Sequence, residues 1–330
     1  QSVDAPACAS AAAMGGALAS AAAGPTAAEA EVAWGADSSR HAARLRVCAA
    51  ASVLEGRPEV ASGSYAITGG LGGLGLRAAA LLVGAGASEV VLASRSGRVA
   101  RDGQGLHAML LALARGGAVR AAAADVADPL DACRLCSGLG ARLSGALHAA
   151  GVLRDKLLRS MASSSLRAVF APKALAASLI AQARRHTPPA ALLLFSSVAA
   201  VLGNIGQASY SAANASLDGH VLSRRLGGTS STSLQVPAVS GAGMGASTFS
   251  DDELAAIGAV SLDDFAEWLL RCLAQSFAGR PRIQALLRPQ LLEAVRREGS
   301  LSGRADPRFG ELAAAATHRA ARGRSLAATA

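Results

Sequence analysis

Lysine and tyrosine are nearly missing from this chain: each occurs twice in 330 residues, as Lys156 and Lys173 and as Tyr65 and Tyr210. Arg carries the other basic positions, so a Lys or Tyr at a meaningful spacing stands out from the background. Aromatic residues make up 3% of the chain, which excludes an aromatic-rich β-sandwich core. With 51% hydrophobic residues the core has to be built mainly from Ala, Leu and Val, a composition that suits helices packed on a sheet. No run of eighteen strongly apolar residues occurs, so no membrane span is expected. Five cysteines are present, Cys8, Cys48, Cys133, Cys136 and Cys272. The lone Cys133–Cys136 pair sits in a helical stretch with no second pair or close His, so it reads as helix thiols and no metal site is expected. Free thiols imply reducing, intracellular conditions, cytoplasmic by default with a plastid as the alternative. A Gln start and an Ala-rich opening without a basic segment suggest an internal piece of a longer polypeptide.

The net charge of +9 is uneven, because ten Arg against four acids from Arg280 onward place +6 of it in the last 51 residues. No aromatic interleaving accompanies that charge, so a solvated linker is favoured over nucleic-acid binding, and docking of an acidic protein stays open.

Four regions are expected. Residues 1–30 form a low-complexity Ala/Gly/Ser linker. Residues 31–60 hold two short strands, Glu31–Trp34 and Ala43–Val47. Residues 61–290 alternate strand and helix throughout, which predicts an α/β fold: a Rossmann-type, doubly wound parallel sheet with helices on both faces. Residues 291–330 continue a short helix (Gln290–Arg297) into a polar tail. Within the main domain, strands are expected at Tyr65–Thr68, Glu89–Ala93, Val119–Val126, Ala146–Ala150, Ala191–Ser196, Thr232–Pro237 and Arg282–Leu287. Long helices are expected at Ser165–His186 and Tyr210–Leu226.

The first strand runs into Thr68-Gly69-Gly70-Leu71-Gly72-Gly73-Leu74-Gly75. Pyrophosphate needs close backbone approach and a clear helix N-terminus. Gly69 permits the turn, Gly72 or Gly73 removes a Cβ that would strike the phosphate, and Gly75 lets the helix pack on the sheet. The second strand ends in Ser94-Arg95 with no acid, which favours the 2′-phosphate of NADPH over the 2′-hydroxyl of NADH. Asp125 and Val126 are placed to flank adenine, and Ala149-Ala150-Gly151 to admit the ribose; His148 reads as packing.

Ketone reduction needs a proton donor beside the developing alkoxide and a second hydrogen bond to the carbonyl. Tyr210 is the donor, with Lys173 lowering its pKa, Ser197 holding the carbonyl oxygen, and Asn214 one helical turn on to anchor a water or orient the lysine.

These residues resemble the ketoreductase domain of a modular (type I) polyketide synthase, within the short-chain dehydrogenase/reductase superfamily, over about Ser64 to Arg288. Asn214 stands four residues after Tyr210 where most of the superfamily has Lys, and the Lys is supplied upstream as Lys173. Phe195-Ser196-Ser197, Gly206-Gln207, Ala213-Asn214-Ala215 and Leu217-Asp218 also match. The resemblance implies reduction of a β-ketoacyl chain carried on acyl carrier protein, with other synthase domains as partners in the same or another polypeptide. It also implies that residues 31–47 are the remnant of a truncated Rossmann-like subdomain. Asp155 survives from a Leu-Asp-Asp marker whose first Asp is Arg154, and Leu202 replaces a marker Trp. With Gln207 and Met244 on the substrate side, these markers imply a B-type enzyme giving the D-hydroxy product. The usual Trp-Gly before Gly243-Met244 is absent. The rival readings are a stand-alone carbonyl reductase acting on a free small ketone, a fatty acid synthase ketoreductase domain, and a non-catalytic structural domain.

Overall fold

The computed structural model describes residues 62–277 except 102 and 140–142, together with the short segments 2–4, 31–34, 40–41 and 283–285. The chain divides into two units, residues 1–55 with 292–330, and residues 56–291. In the first unit β1 (Ser2–Asp4) pairs in parallel with β2 (Glu31–Trp34), which pairs antiparallel with β3 (Arg40–His41). The strand expected at Ala43–Val47 and the helix expected at Gln290–Arg297 lie outside the described residues.

The second unit is a seven-stranded, fully parallel sheet. Its strands are β4 (Ser64–Thr68), β5 (Glu89–Ser94), β6 (Val119–Ala123), β7 (Leu143–His148), β8 (Ala191–Ser197), β9 (Ser231–Val236) and β10 (Ile283–Ala285). They lie in the order β10-β9-β8-β7-β4-β5-β6. The order reverses between β4 and β7, and a doubly wound sheet opens a crevice beyond the strand ends at such a reversal. Ala149 N–H donates to the Thr68 carbonyl at that point, so the two segments that leave the crevice start side by side.

Strand residues alternate between the two faces. On one face Tyr65, Ile67, Leu193, Phe195 and Leu234 pack against α1 (Gly73–Gly84) and α10 (Leu262–Phe277), with Phe195 and Phe265 edge to face at 5.6 Å. On the other, Ala66, Val91, Ala146, Leu192 and Leu194 pack under Leu217 and Val221. Those two belong to α7 (Ala208–Leu226), the helix that carries the Tyr210 face.

Around these lie α2 (Leu106–Arg115) and α3 (Pro129–Ser137), the latter capped by the Asp128 carboxylate accepting from Leu130 and Asp131 N–H. The long helix expected over Ser165–His186 is interrupted. It runs as α4 (Ser163–Phe170), a π turn at Ala171–Leu175, and α5 (Ala176–Ala183). Pro172 has no N–H to donate, and the wider turn absorbs the break; such π turns are frequent at functional sites. Short helices α6 (Ala199–Leu202), α8 (Met244–Thr248) and α9 (Asp251–Ala256) complete the loops beyond β8 and β9.

Candidate active site

At the end of β4 the glycines differ in what they make room for. Gly69 has φ 70°, and a Cβ there would lie 2.6 Å from the Ala150 backbone, so this turn and the β7 end can approach only as glycine. Gly75 is pressed on Gly70 in the same way, at 2.6 Å. A Cβ on Gly73 would lie 2.6 Å from Gly243 N and 2.7 Å from Ala242 Cβ, so this glycine serves packing by the β9 loop. Gly72, the N-cap of α1 with no side-chain cap, meets nothing nearer than its own turn's carbonyl at 3.4 Å. Of the two glycines proposed to face phosphate, the one with open space is therefore Gly72. Leu71 is wholly buried and Leu74 half-buried, anchoring the loop on either side.

At the end of β5, Ser94 is half-buried and Arg95, just beyond it, is exposed. Ser94 Oγ donates to the Arg98 carbonyl, and among the described residues Arg95 has no acidic partner. The Asp125 carboxylate accepts from Ala127 N–H at 3.1 Å, closing a small turn, and Val126 is buried beside it. An uncapped helix N-terminus over an open glycine, with a free guanidinium at the next strand end, fits the pyrophosphate and 2′-phosphate of an NADP-type dinucleotide.

Across the crevice, Ser197, Tyr210, Lys173 and Asn214 come together from β8, α7 and the π turn. Ser197 Oγ accepts from Ala199 N–H at 3.2 Å, which leaves its own O–H to donate. Asn214 is fully buried; its Nδ2 donates to the Tyr210 carbonyl at 2.8 Å, and its Oδ1 has no partner among the described residues. A buried amide oxygen of this kind marks a position for a water or ligand donor.

Lys173 is 3% exposed. Its Nζ donates to the Phe195 carbonyl at 2.9 Å and lies 5.5 Å from the centroid of the Tyr210 ring. Burial lowers its pKa to about 8, opposed by the charge of Asp218. The expected lowering of the Tyr210 pKa is not what the structure shows. Burial raises it, hydrogen bonding from Asn214 and Ser197 pulls it back, and the nearby Asp155 charge adds to the rise. The Lys173 ammonium lies against the ring face with the Phe195 carbonyl as its bonded partner, and it is not among the groups that pull the Tyr210 pKa down.

Two residues beside this group exceed their sequence reading. His148 is buried rather than merely packed. Its Nε2 meets the Lys173 carbonyl at 3.1 Å and its Nδ1 meets Thr68 Oγ1 at 2.6 Å, which joins the glycine-turn strand to the π turn. Asp218 lies buried on the Tyr210 helix, held by Ser233 and Gln235. A Cβ on Gly151 would lie 2.8 Å from Lys173 Cε, so the β7 end also shapes the lysine's bed.

At the mouth, Gln207 Nε2 donates to the Asp155 carboxylate at 2.9 Å and Lys156 N–H to the Gly206 carbonyl at 2.8 Å, so the loops after β7 and α6 are joined. Leu202 ends α6 half-buried. Met244 opens α8, also half-buried, directly after Gly243, whose backbone N–H and carbonyl are both bonded by the Gln104 side-chain amide. The β9 loop is held here by Gln104. No residue pattern around Gln104 signals that role. Among the described residues no helix is long and apolar enough to cross a membrane.

Residues 63–241, more than half of the chain, match the KR domain family. A 6-methylsalicylic acid synthase of Arthrobotrys oligospora is 36% identical over 254 residues, 70% of this chain and 14% of the synthase. The polyketide synthase GfsA of Streptomyces halstedii is 42% identical over 159 residues, 48% of this chain and 2% of the synthase. The chain thus spans a small fraction of the curated relatives it matches. Among solved structures, the ketoreductase from the first module of phoslactomycin biosynthesis in a Streptomyces species superposes with a TM-score of 0.72 at 28% identity, covering 93% of this chain and 69% of that one. With the parallel sheet, the crevice at its reversal point and these matches together, the chain belongs to the KR domain family, the ketoreductase domains of polyketide synthases.

Proposed function

We propose that this chain reduces a β-ketoacyl group, carried on acyl carrier protein, to the β-hydroxyacyl product with NADPH, as one domain of a polyketide synthase. The observation that carries the reading is that Ser197, Lys173 and Asn214 gather around Tyr210, while Gly69 of the glycine turn packs on Ala150 and Gly151 on Lys173.

In this reading the Gly72 turn and the N-terminus of α1 hold the pyrophosphate, and Arg95 with Ser94 holds the 2′-phosphate. Asp125 and Val126 line the adenine position, and Ala149, Ala150 and Gly151 admit the ribose. NADPH, when bound, supplies hydride for the carbonyl carbon of the substrate.

The chain's own residues do the rest. The Ser197 hydroxyl donates to the ketone oxygen and holds it against Tyr210. Tyr210 stays protonated until needed, because burial raises its pKa, and then delivers its proton to the forming alkoxide. The buried ammonium of Lys173 stabilises negative charge left on the phenol. Asn214, through its open Oδ1, holds a water by which that proton is replaced.

Asp155 and Gln207, bonded across the mouth, together with Leu202 and Met244, set the side from which the tethered chain enters. With Asp155 retained and Leu202 in place of a Trp, we assign the B-type outcome and the D-hydroxy product. Incubation with NADPH and a panel of β-ketoacyl thioesters, followed by chiral chromatography, tests both parts. NADPH consumption with a D-configured product is expected. No turnover on any thioester overturns the activity, and a predominantly L product overturns the assignment of face.

A further inference from the structure

Tyr210, Asn214 and Asp218 recur every four residues along α7 and so share one face of that helix. The first two are accounted for by the proposed chemistry, but Asp218 is not. Asp218 is 8% exposed and both carboxylate oxygens are engaged: Ser233 Oγ donates to Oδ1 at 2.5 Å and Gln235 Nε2 to Oδ2 at 2.8 Å. Ser233 and Gln235 are two apart on β9 and therefore face the same side, beneath α7. Their register partners on β8 are Leu194 and Ser196, and the Ser196 hydroxyl donates to the Asn214 carbonyl. Ser196 directly follows Phe195, whose carbonyl receives Lys173 Nζ. Polar groups thus line the space beneath α7 from Gln235 and Ser233 through Asp218 and Ser196, and the strand residue before Ser196 holds the lysine, under a helix that packs on the π turn.

A buried carboxylate is costly unless it is hydrogen-bonded or balanced by a cation. A buried ammonium whose bonded partner is a carbonyl loses its proton readily. We propose that Asp218 is the counter-charge that keeps Lys173 an ammonium beneath Tyr210, with Ser233 and Gln235 holding Asp218 as the carboxylate. Asp218 is then a positioning residue, acting on the reaction through Lys173; the link to turnover rests on the assignment of Lys173 above.

The groups facing Lys173 are Asp218 and Tyr210 from α7, His148 from β7 and the Phe195 carbonyl from β8. His148 is held neutral by its burial, and Tyr210 is a neutral phenol at ordinary pH, so Asp218 is the anion among them. The effect is mutual: each charge favours the ionised form of the other, against a desolvation that disfavours both.

The scarcity of lysine makes the test direct. Selective 13C labelling of lysine gives two Cε signals, from exposed Lys156 and buried Lys173, which can be titrated separately. In the intact protein the shielded signal should titrate near pH 8, and in Asp218→Asn it should titrate lower by about one unit or more. Gln235→Leu, which keeps the acid but removes a donor, should move it the same way by less, and it carries the test if Asp218→Asn does not fold. A folded variant whose Lys173 titration is unmoved overturns the proposal. The alkaline limb of kcat against pH, measured with NADPH and a β-ketoacyl thioester, should follow the NMR shift. A lysine that shifts while the limb stays fixed leaves the counter-charge standing and counts against the catalytic reading of Lys173.

Discussion

A β-carbon placed on Gly151 would stand 2.8 Å from Cε of Lys173 and 3.4 Å from its Nζ. The lysine chain lies along the end of β7 where only a hydrogen is present, and its far end is pinned to the Phe195 carbonyl. Gly151→Ala should therefore displace the ammonium without disturbing the sheet. We expect kcat to fall by about tenfold or more, the change that roughly 1.4 kcal/mol of lost transition-state stabilisation produces. The urea midpoint should stay close to the parent's. Steady-state kinetics with a denaturation curve checks it; unchanged kcat would mean that Lys173 is not needed where it lies.

Arg95 has no acidic partner among the described residues and stands at the end of β5. Arg95→Asp places a charge that repels a 2′-phosphate and accepts from a ribose hydroxyl, so the ratio of kcat/KM for NADPH to that for NADH should invert. A ratio that does not move would locate the phosphate elsewhere.

Gln104 bonds Gly243 twice, accepting from its N–H at 3.0 Å and donating to its carbonyl at 3.2 Å. Gly243 also stands against Gly73, so this one amide ties the loop after β9 to the glycine turn. Gln104→Ala should cost about 1–2 kcal/mol for two part-buried hydrogen bonds, read from urea unfolding. KM for the thioester should rise several-fold with a smaller change in kcat, because Met244 follows the clamp. Identical KM in the variant would show that the loop keeps its place without Gln104.

His148 makes the fold sensitive to acid. The Lys173 carbonyl can only accept, so Nε2 bears the proton and Nδ1 accepts from Thr68. Burial, with Lys173 nearby, lowers the His148 pKa to about 3 against an ordinary 6.5. Between those values the unfolded chain binds the extra proton and the folded chain does not, so stability falls as pH drops below about 6.5. From pH 7 to 5 this one group should remove about 2 kcal/mol. His148→Asn should lose correspondingly less over the same interval, measured by urea unfolding at the two pH values; equal losses would contradict the account.

The strand–helix alternation was legible because a buried parallel strand leaves short apolar runs such as Leu192–Leu194, bounded by turns. Tyr210, Lys173 and Asn214 stand out in the sequence because Tyr, Lys and Asn each occur only twice, and Ser197, one of many serines, is picked out by its spacing from Tyr210. The π turn was not, although Pro172 lay in plain sight, since helix periodicity continues on both sides of a one-residue bulge. The choice between Gly72 and Gly73 depended on Ala242 and Gly243, some 170 positions away in sequence. His148 and Gln104 escaped for the same reason: their partners are distant, and a lone His or Gln carries no period. The direction of the Tyr210 shift was also hidden, because it is decided by burial and by where Lys173 points.

The central claim is that Tyr210 supplies the proton while the dinucleotide is held elsewhere. NADPH oxidation with a β-ketoacyl thioester, measured for the parent and for Tyr210→Phe alongside NADPH binding by fluorescence, tests it most directly. The account predicts a loss of kcat of about a thousandfold, within the range typical of removing a general acid, with NADPH affinity kept within a few-fold. Substantial turnover in Tyr210→Phe would contradict it.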